Sequence, residues 1–415
     1  MESTHTIVPE GGEKTLERQA RAFHWVRQLC DGPGRLAGSL GETRAAGQLE
    51  GWLHELGFEE IEARPCRAAP DPGVSLALHL VVASAGCVLG GFPGLLLAGG
   101  ALWSFRRGAL RGRAPLARWL RKPEARSLVA RVGAEKPRRR VVLSASLCTE
   151  RAGALLSERT RDRLRHRLGA NDHPWRLTVA WPHRGLVLAT AVCAALALGA
   201  DGLLIEIARG LLGTALALSA AVGLQWAWAS ASPGANAHAS GLAALLTAAE
   251  QLAAQLPPEV ELWCVAAGGS ARGERGLESL FETHPEWSSE DTAVVHFSAV
   301  GGGSLHYARS EGGFERTVHP PMLEELARRV AASGVFAEVT PVDLVGETGA
   351  QVLGRRGAQV LSLVSLDASG APRHAGQRDD VPEHLDMEGV VRAADFGCSV
   401  ISAHWRGDAE PLAYV

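Results

Sequence analysis

Four side chains of the kinds that bind zinc, Cys148, His238, His296 and His374, are scattered over the chain. Thiolate and neutral imidazole are good zinc donors, and a bound ion would polarise a carbonyl and acidify a water. Their spacing is long and matches no zinc motif, so the competing reading is a buried apolar thiol with imidazoles that hydrogen-bond locally. Ser270 and Ser298 offer a second chemistry, nucleophilic attack. Neither sits in Gly-x-Ser-x-Gly, and no Ser/His/Asp order is recognisable. Gly301-Gly-Gly-Ser304 is followed by no Gly-Lys-Ser/Thr and reads as a close-packed turn rather than a phosphate loop. His183, His284 and His384 read as structural or surface groups.

The elements that must position these groups are punctuated clearly. Ser232-Pro-Gly-Ala-Asn-Ala-His-Ala-Ser-Gly241 is a turn feeding an apolar helix over Leu242–Leu256, with Ser240 as its N-cap and Pro257-Pro258 as its stop. Residues 15–56 read as two helices around Asp31–Ser39, and 58–64 alternates like a strand. Strands are expected at 127–132, 140–146, 261–267, 292–301 and 357–363, rich in β-branched and apolar residues. A helix is expected at 322–333. On strands, side chains two apart share a face, so Cys148 falls on the face of Ser146 and His296 on that of Ser298.

A chain of 415 residues is long enough for a full hydrophobic core, and its net charge of -3 leaves no basic field for nucleic acid. Its seven cysteines show no Cys-x-x-Cys pair, which points to reduced thiols rather than a disulfide framework. Residues 1–14 are polar and read as a flexible N-terminus without a signal peptide.

Two stretches depart from the rest. Residues 74–105 open with thirty positions free of Asp, Glu, Lys and Arg, broken by Gly90-Gly-Phe-Pro-Gly94. A spanning helix needs roughly 20 apolar residues, so this is one long span or two short helices. The segment 106–126 that follows is strongly basic, as is 151–184. Residues 185–229 are apolar again, with Asp201, Glu206 and Arg209 placed to connect spans at 185–200 and 210–229. Core helices of a larger soluble fold are the alternative; length, missing polar periodicity and basic flanks favour membrane insertion. An even number of crossings would put the globular part in the cytoplasm.

The Pro-Gly-Ala-Asn frame at 233–236 resembles the signature of the zinc-dependent aminopeptidases of the bacterial leucyl aminopeptidase and glutamate carboxypeptidase type. Colinear blocks over 15–64, 127–148 and 232–405 carry the same likeness, ending in Arg373-His374-Ala-Gly-Gln-Arg-Asp-Asp380. The resemblance implies an α/β fold, a mixed and mostly parallel sheet sandwiched by helices (zinc-exopeptidase, phosphorylase/hydrolase-like). It would form one discontinuous domain from 15–73, 127–184 and 230–415, interrupted by insertions at 74–105 and 185–229. It also implies five zinc-ligand positions and a general base. Here they read Ser146, Ala237, Ala271, Ser298 and His374, with Ser270 at the base. Only His374 keeps a ligand type. A gapped register would move Glu274 to the lost ligand position; the ungapped one is preferred. Asn236, His238, Thr348 and His374 would line the substrate pocket.

A two-zinc peptidase needs carboxylates to hold both ions and to move protons. The expectation is therefore a multi-pass membrane protein with an aminopeptidase fold, inactive as a peptidase, without cofactor, and binding membrane lipid and a peptide or partner protein. The alternatives are an active zinc exopeptidase with Cys148, His238 and His296 as replacement ligands, and a transporter or channel component. The last is disfavoured by the few charges in the apolar segments.

Overall fold

The computed structural model describes residues 10–157, 159–161, 163, 176–270 and 274–406. The chain opens with helices α1 (Glu10–Cys30) and α2 (Leu40–Glu55). Ser39 caps α2 by accepting from the Glu42 amide, which satisfies one of the free N–H groups of its first turn. After β1 (Glu60–Arg67), the chain runs into a helical hairpin, α3 (Pro72–Leu89) and α4 (Gly91–Arg111). Strands β2 (Glu124–Gly133) and β3 (Arg139–Ser146) follow, and then a second helical hairpin, α5 (Trp181–Ala197) and α6 (Leu203–Trp228). The rest alternates: α7 (Ser240–Ala253), β4 (Val260–Ala267), α8 (Arg275–Thr283), β5 (Thr292–Phe297), β6 (Ser304–Glu311), β7 (Thr317–Val318), α9 (Pro321–Ala332), β8 (Thr340–Leu344), α10 (Gly349–Arg355), β9 (Gln359–Leu366) and α11 (Met387–Arg406).

The strands form one sheet in the order β1-β2-β4-β3-β5-β9-β6-β7, with β8 on β6. Its centre, β4-β3-β5-β9, is parallel; β1 and β2 run antiparallel to their neighbours, and β6 is antiparallel to β9 and β7 but parallel to β8. Parallel central strands bury both faces, and the sequence of β4 and β5 is accordingly apolar without interruption by charge beyond Glu261. Alternate residues serve opposite layers. Val141, Leu143 and Ala145 face a core built with α1, α2, α7, α9 and α11, whereas Val142 faces Leu277, Phe281 and Trp287 on the α8 side. The core helix α7 is buried nearly all round, as its Ala/Leu composition requires.

Helices α3 to α6 pack together as a four-helix bundle standing off the carboxyl edge of the sheet. The break at Gly90, with φ of 64°, makes two helices of the first apolar segment. In the second, α6 already begins at Leu203, so Glu206 and Arg209 lie within the helix as an ion pair one turn apart, and of the three charges only Asp201 is left in the connection. Small residues bring the helices close: a Cβ on Gly73 would stand 2.6 Å from the Gly223 carbonyl oxygen, and one on Gly94 2.4 Å from that of Gly86. Both hairpins begin and end at the globular domain. A collar at that end ties them together, since Asp71 caps α3 and pairs with Arg151 at 2.8 Å, while Arg151 also donates to the Ala229 carbonyl beyond α6.

Three helical stretches, Pro72–Leu89, Arg176–Ala197 and Leu203–Trp228, are long and apolar enough to cross a membrane. Their outward faces leave Val88, Leu188, Leu204, Leu211 and Leu218 uncovered by any described element.

Candidate functional site

The segment before α7 is wound more widely than a helix start with a side-chain cap. A π turn over Ala235–Ala239 precedes it, and Ser240 is already helical. Its hydroxyl, expected to cap the helix, instead donates to the Asn236 carbonyl at 2.6 Å and accepts from the Val300 amide at 3.0 Å. Asn236 works as a buried clamp: its Oδ1 accepts from the Gly301 amide (2.8 Å) and its Nδ2 donates to the Arg373 carbonyl (2.7 Å). Asp380 receives the amides of Asn236 and Ala237 at 2.6 and 3.2 Å. Burial pushes its carboxyl up to about 7, against the pull of those two amides and of Arg35. Gly241 meets β5 so closely that a Cβ there would lie 2.4 Å from the Ser298 carbonyl oxygen. The motif thus fixes three loops at the carboxyl ends of the parallel strands, where open α/β sheets place their sites.

Those loops wall a cavity of 1530 Å³. Its floor carries Ser146, Ala237, His238, Ser270, Glu274, His296, Ser298 and Thr348, and its roof is made by α3, α4 and the chain beyond α4. Ala271 lies outside the described residues. The Ser146 hydroxyl donates to Glu274 Oε1 at 3.3 Å, and Glu274 Oε2 is enclosed without a partner among the described residues. Burial raises the Glu274 carboxyl to about 8, with Glu150 and Glu311 adding to the effect, so it is mostly uncharged at neutral pH. His238 is pushed down to about 3 by burial and then by Arg35, and its Nδ1 also has no partner among the described residues. His296 is pushed down to about 4 by burial, with Nδ1 at 3.0 Å from the Ser144 hydroxyl.

The other expected site residues are engaged elsewhere. His374 has a left-handed backbone (φ 59°), pairs with Asp379 at 3.2 Å and faces His384 at 5.0 Å; Pro372, Ala375 and Gly376 form the cavity wall at that point. Cys148 donates from its thiol to Glu42 Oε1 (2.9 Å), and its sulfur receives the Gly269 amide (3.1 Å). Burial, and then Glu42, hold this thiol well above its usual value, which withholds the thiolate a metal would need. Glu311, at the end of β6, carried no signal in the sequence. It is fully buried, accepts from the Thr348 amide and hydroxyl at 2.8 Å, and sits 3.3 Å from His319 Nε2. Thr348 caps α10 and is held against the cavity by this carboxylate.

Among the described residues, no three His, Cys, Asp or Glu side chains stand together as a metal site. Hydroxyls at Ser146 and Ser298 and a methyl at Ala237 are poor company for zinc. The donor set does not fit a two-zinc centre.

No family model and no curated protein matches the sequence. Solved structures do match. An aminopeptidase from Aneurinibacillus sp. strain AM-1 superposes with a TM-score of 0.56 at 12% identity, covering 97% of this chain and 98% of that one. A Zn-dependent exopeptidase from Parabacteroides distasonis gives 0.52 at 12%, covering 92% and 97%. A glutaminyl cyclase from Porphyromonas gingivalis gives 0.52 at 11%, again covering 92% and 97%. Identities this low speak for the fold alone, and with the sheet order and the placement of the cavity they establish that this chain carries the α/β fold of the zinc-dependent aminopeptidases and exopeptidases.

Proposed function

We propose that the protein is a membrane-anchored, peptidase-like binding protein that holds a peptide or partner segment in its cavity without hydrolysing it. The observation that carries this reading is the floor of the cavity, where Ser146, Ala237 and Ser298 stand at positions that would have to grip paired cations. Hydrolysis of an amide by that route needs two Lewis-acidic ions and an ionised base beside them. The carboxyl beside Ser146, that of Glu274, is held mostly protonated at neutral pH. Volume supports binding, since 1530 Å³ exceeds the roughly 300–1,000 Å³ of small-molecule pockets and suits an extended segment of chain. The uncovered apolar faces of the bundle support the anchor, because a patch of that extent is costly in water and is satisfied by lipid.

Elemental analysis of the detergent-purified full chain, together with an aminoacyl-nitroanilide assay, tests the reading. Zinc well below one ion per chain and hydrolysis no faster than buffer are expected. Two zinc ions per chain, with turnover abolished by His374→Ala, would overturn it in favour of an active exopeptidase.

A further inference from the structure

The charge of the cavity wall is unequal. Among the described residues that line it, nine are Lys or Arg and five are Glu. Part of the excess is concentrated: Arg113, Arg275 and Arg356 all converge on the single carboxylate of Glu278, within 3.4 Å. Glu282 supplies Arg356 with a second contact, and the group still keeps more positive than negative charge. Arg67 and Lys122, on the same wall, have no ion-pair partner among the described residues. Arg275 and a further wall residue, Arg355, also donate to the carbonyls of Gly112 and Leu110, so the end of α4 is fastened over the cavity. The floor has a different need. The enclosed Glu274 Oε2 and His238 Nδ1 have no partner among the described residues, and buried polar atoms of this kind are normally paired.

We propose that the cavity takes an acidic polypeptide segment, its carboxylates against Arg67, Lys122 and the Arg113–Arg275–Arg356 group, and its backbone amides against Glu274 Oε2 and His238 Nδ1. This rests on the peptide-binding reading and specifies its ligand. A basic segment would meet like charges along the wall, whereas an acidic one gains charge-assisted hydrogen bonds from guanidinium groups. The orphaned floor atoms favour a polypeptide over a lipid headgroup, because a peptide backbone offers both a donor and an acceptor at depth.

The test uses the full chain in nanodiscs of zwitterionic lipid and three fluorescent peptides of equal length, one Glu-rich, one Lys-rich and one Ser/Gln-rich, read by anisotropy. The Glu-rich peptide is expected to bind about tenfold or more tightly than the others at low salt, with the preference shrinking as ionic strength rises. The double variant R113Q/K122Q, both at exposed positions, is expected to remove most of that preference while leaving the melting temperature unchanged. Equal or tighter binding of the Lys-rich or neutral peptide would overturn the acidic specificity and leave peptide binding standing. Binding of none would overturn peptide binding itself. Loss of Glu-rich binding when the nanodiscs contain anionic lipid would assign the basic wall to lipid headgroups and overturn the proposal.

Discussion

Arg35→Ala is expected to destabilise the protein by about 3–5 kcal/mol. Arg35 is 2% exposed, and its guanidinium donates to three carbonyls from separate segments: Leu29 at the end of α1, Leu147 after β3, and Gly234 in the turn before α7. Truncation opens a cavity and leaves buried carbonyl oxygens without that donor, and the two costs add. Domains of this size have total stabilities of roughly 5–15 kcal/mol, so melting should fall by on the order of 10 °C. Arg35→Met separates the causes, because it keeps most of the volume and none of the hydrogen bonds. A methionine variant that melts with the parent would show that packing, and not the three carbonyls, is what Arg35 supplies.

The second large effect depends on pH. Glu274, raised to about 8, and Asp380, raised to about 7, bind protons in the native state that the unfolded chain releases near its ordinary carboxylate values. The native state therefore holds more protons through this interval, and stability falls as pH rises from about 4 to about 8. Each pKa unit corresponds to about 1.4 kcal/mol, so Glu274 alone produces a decline of several kcal/mol. Glu274→Gln keeps the acceptor for the Ser146 hydroxyl and cannot ionise. Its melting temperature should exceed that of the parent by roughly 5–10 °C at pH 9 and match it at pH 5. A parallel decline in both proteins would place the Glu274 carboxyl in an ordinary, solvated environment.

Much of the scaffold was legible because its signals are local. Gly57, Pro257-Pro258 and the β-branched runs of β3 and β5 mark boundaries that hold within a few residues, and the Gly90 break, which left one long span and two helices both open, separates two helices. The strand β6 was not legible. Its burial depends on pairing with β9 and β8, and Arg309 and Glu311 within it mask a short apolar alternation. Ser240 looked like an N-cap because Ser before an apolar run commonly is one, but the wide turn at Ala235–Ala239 starts the helical path earlier. At the site, side-chain types could be read and their directions could not. His374 is turned to Asp379 by a left-handed backbone, and Glu274 reaches Ser146 from a loop whose register the letters alone leave open.

The position of β4 governs the order in which this molecule can be assembled. It fills the gap between β2 and β3, yet it is made only after all four bundle helices. Until Val260–Ala267 emerges from the ribosome, β2 and β3 lack their shared neighbour, so the centre of the sheet remains open while both helical hairpins are synthesised. In the anchored form proposed above, the translocon would handle both hairpins before the soluble half could close, and a chain stalled ahead of β4 would be an inserted bundle trailing unpaired strands.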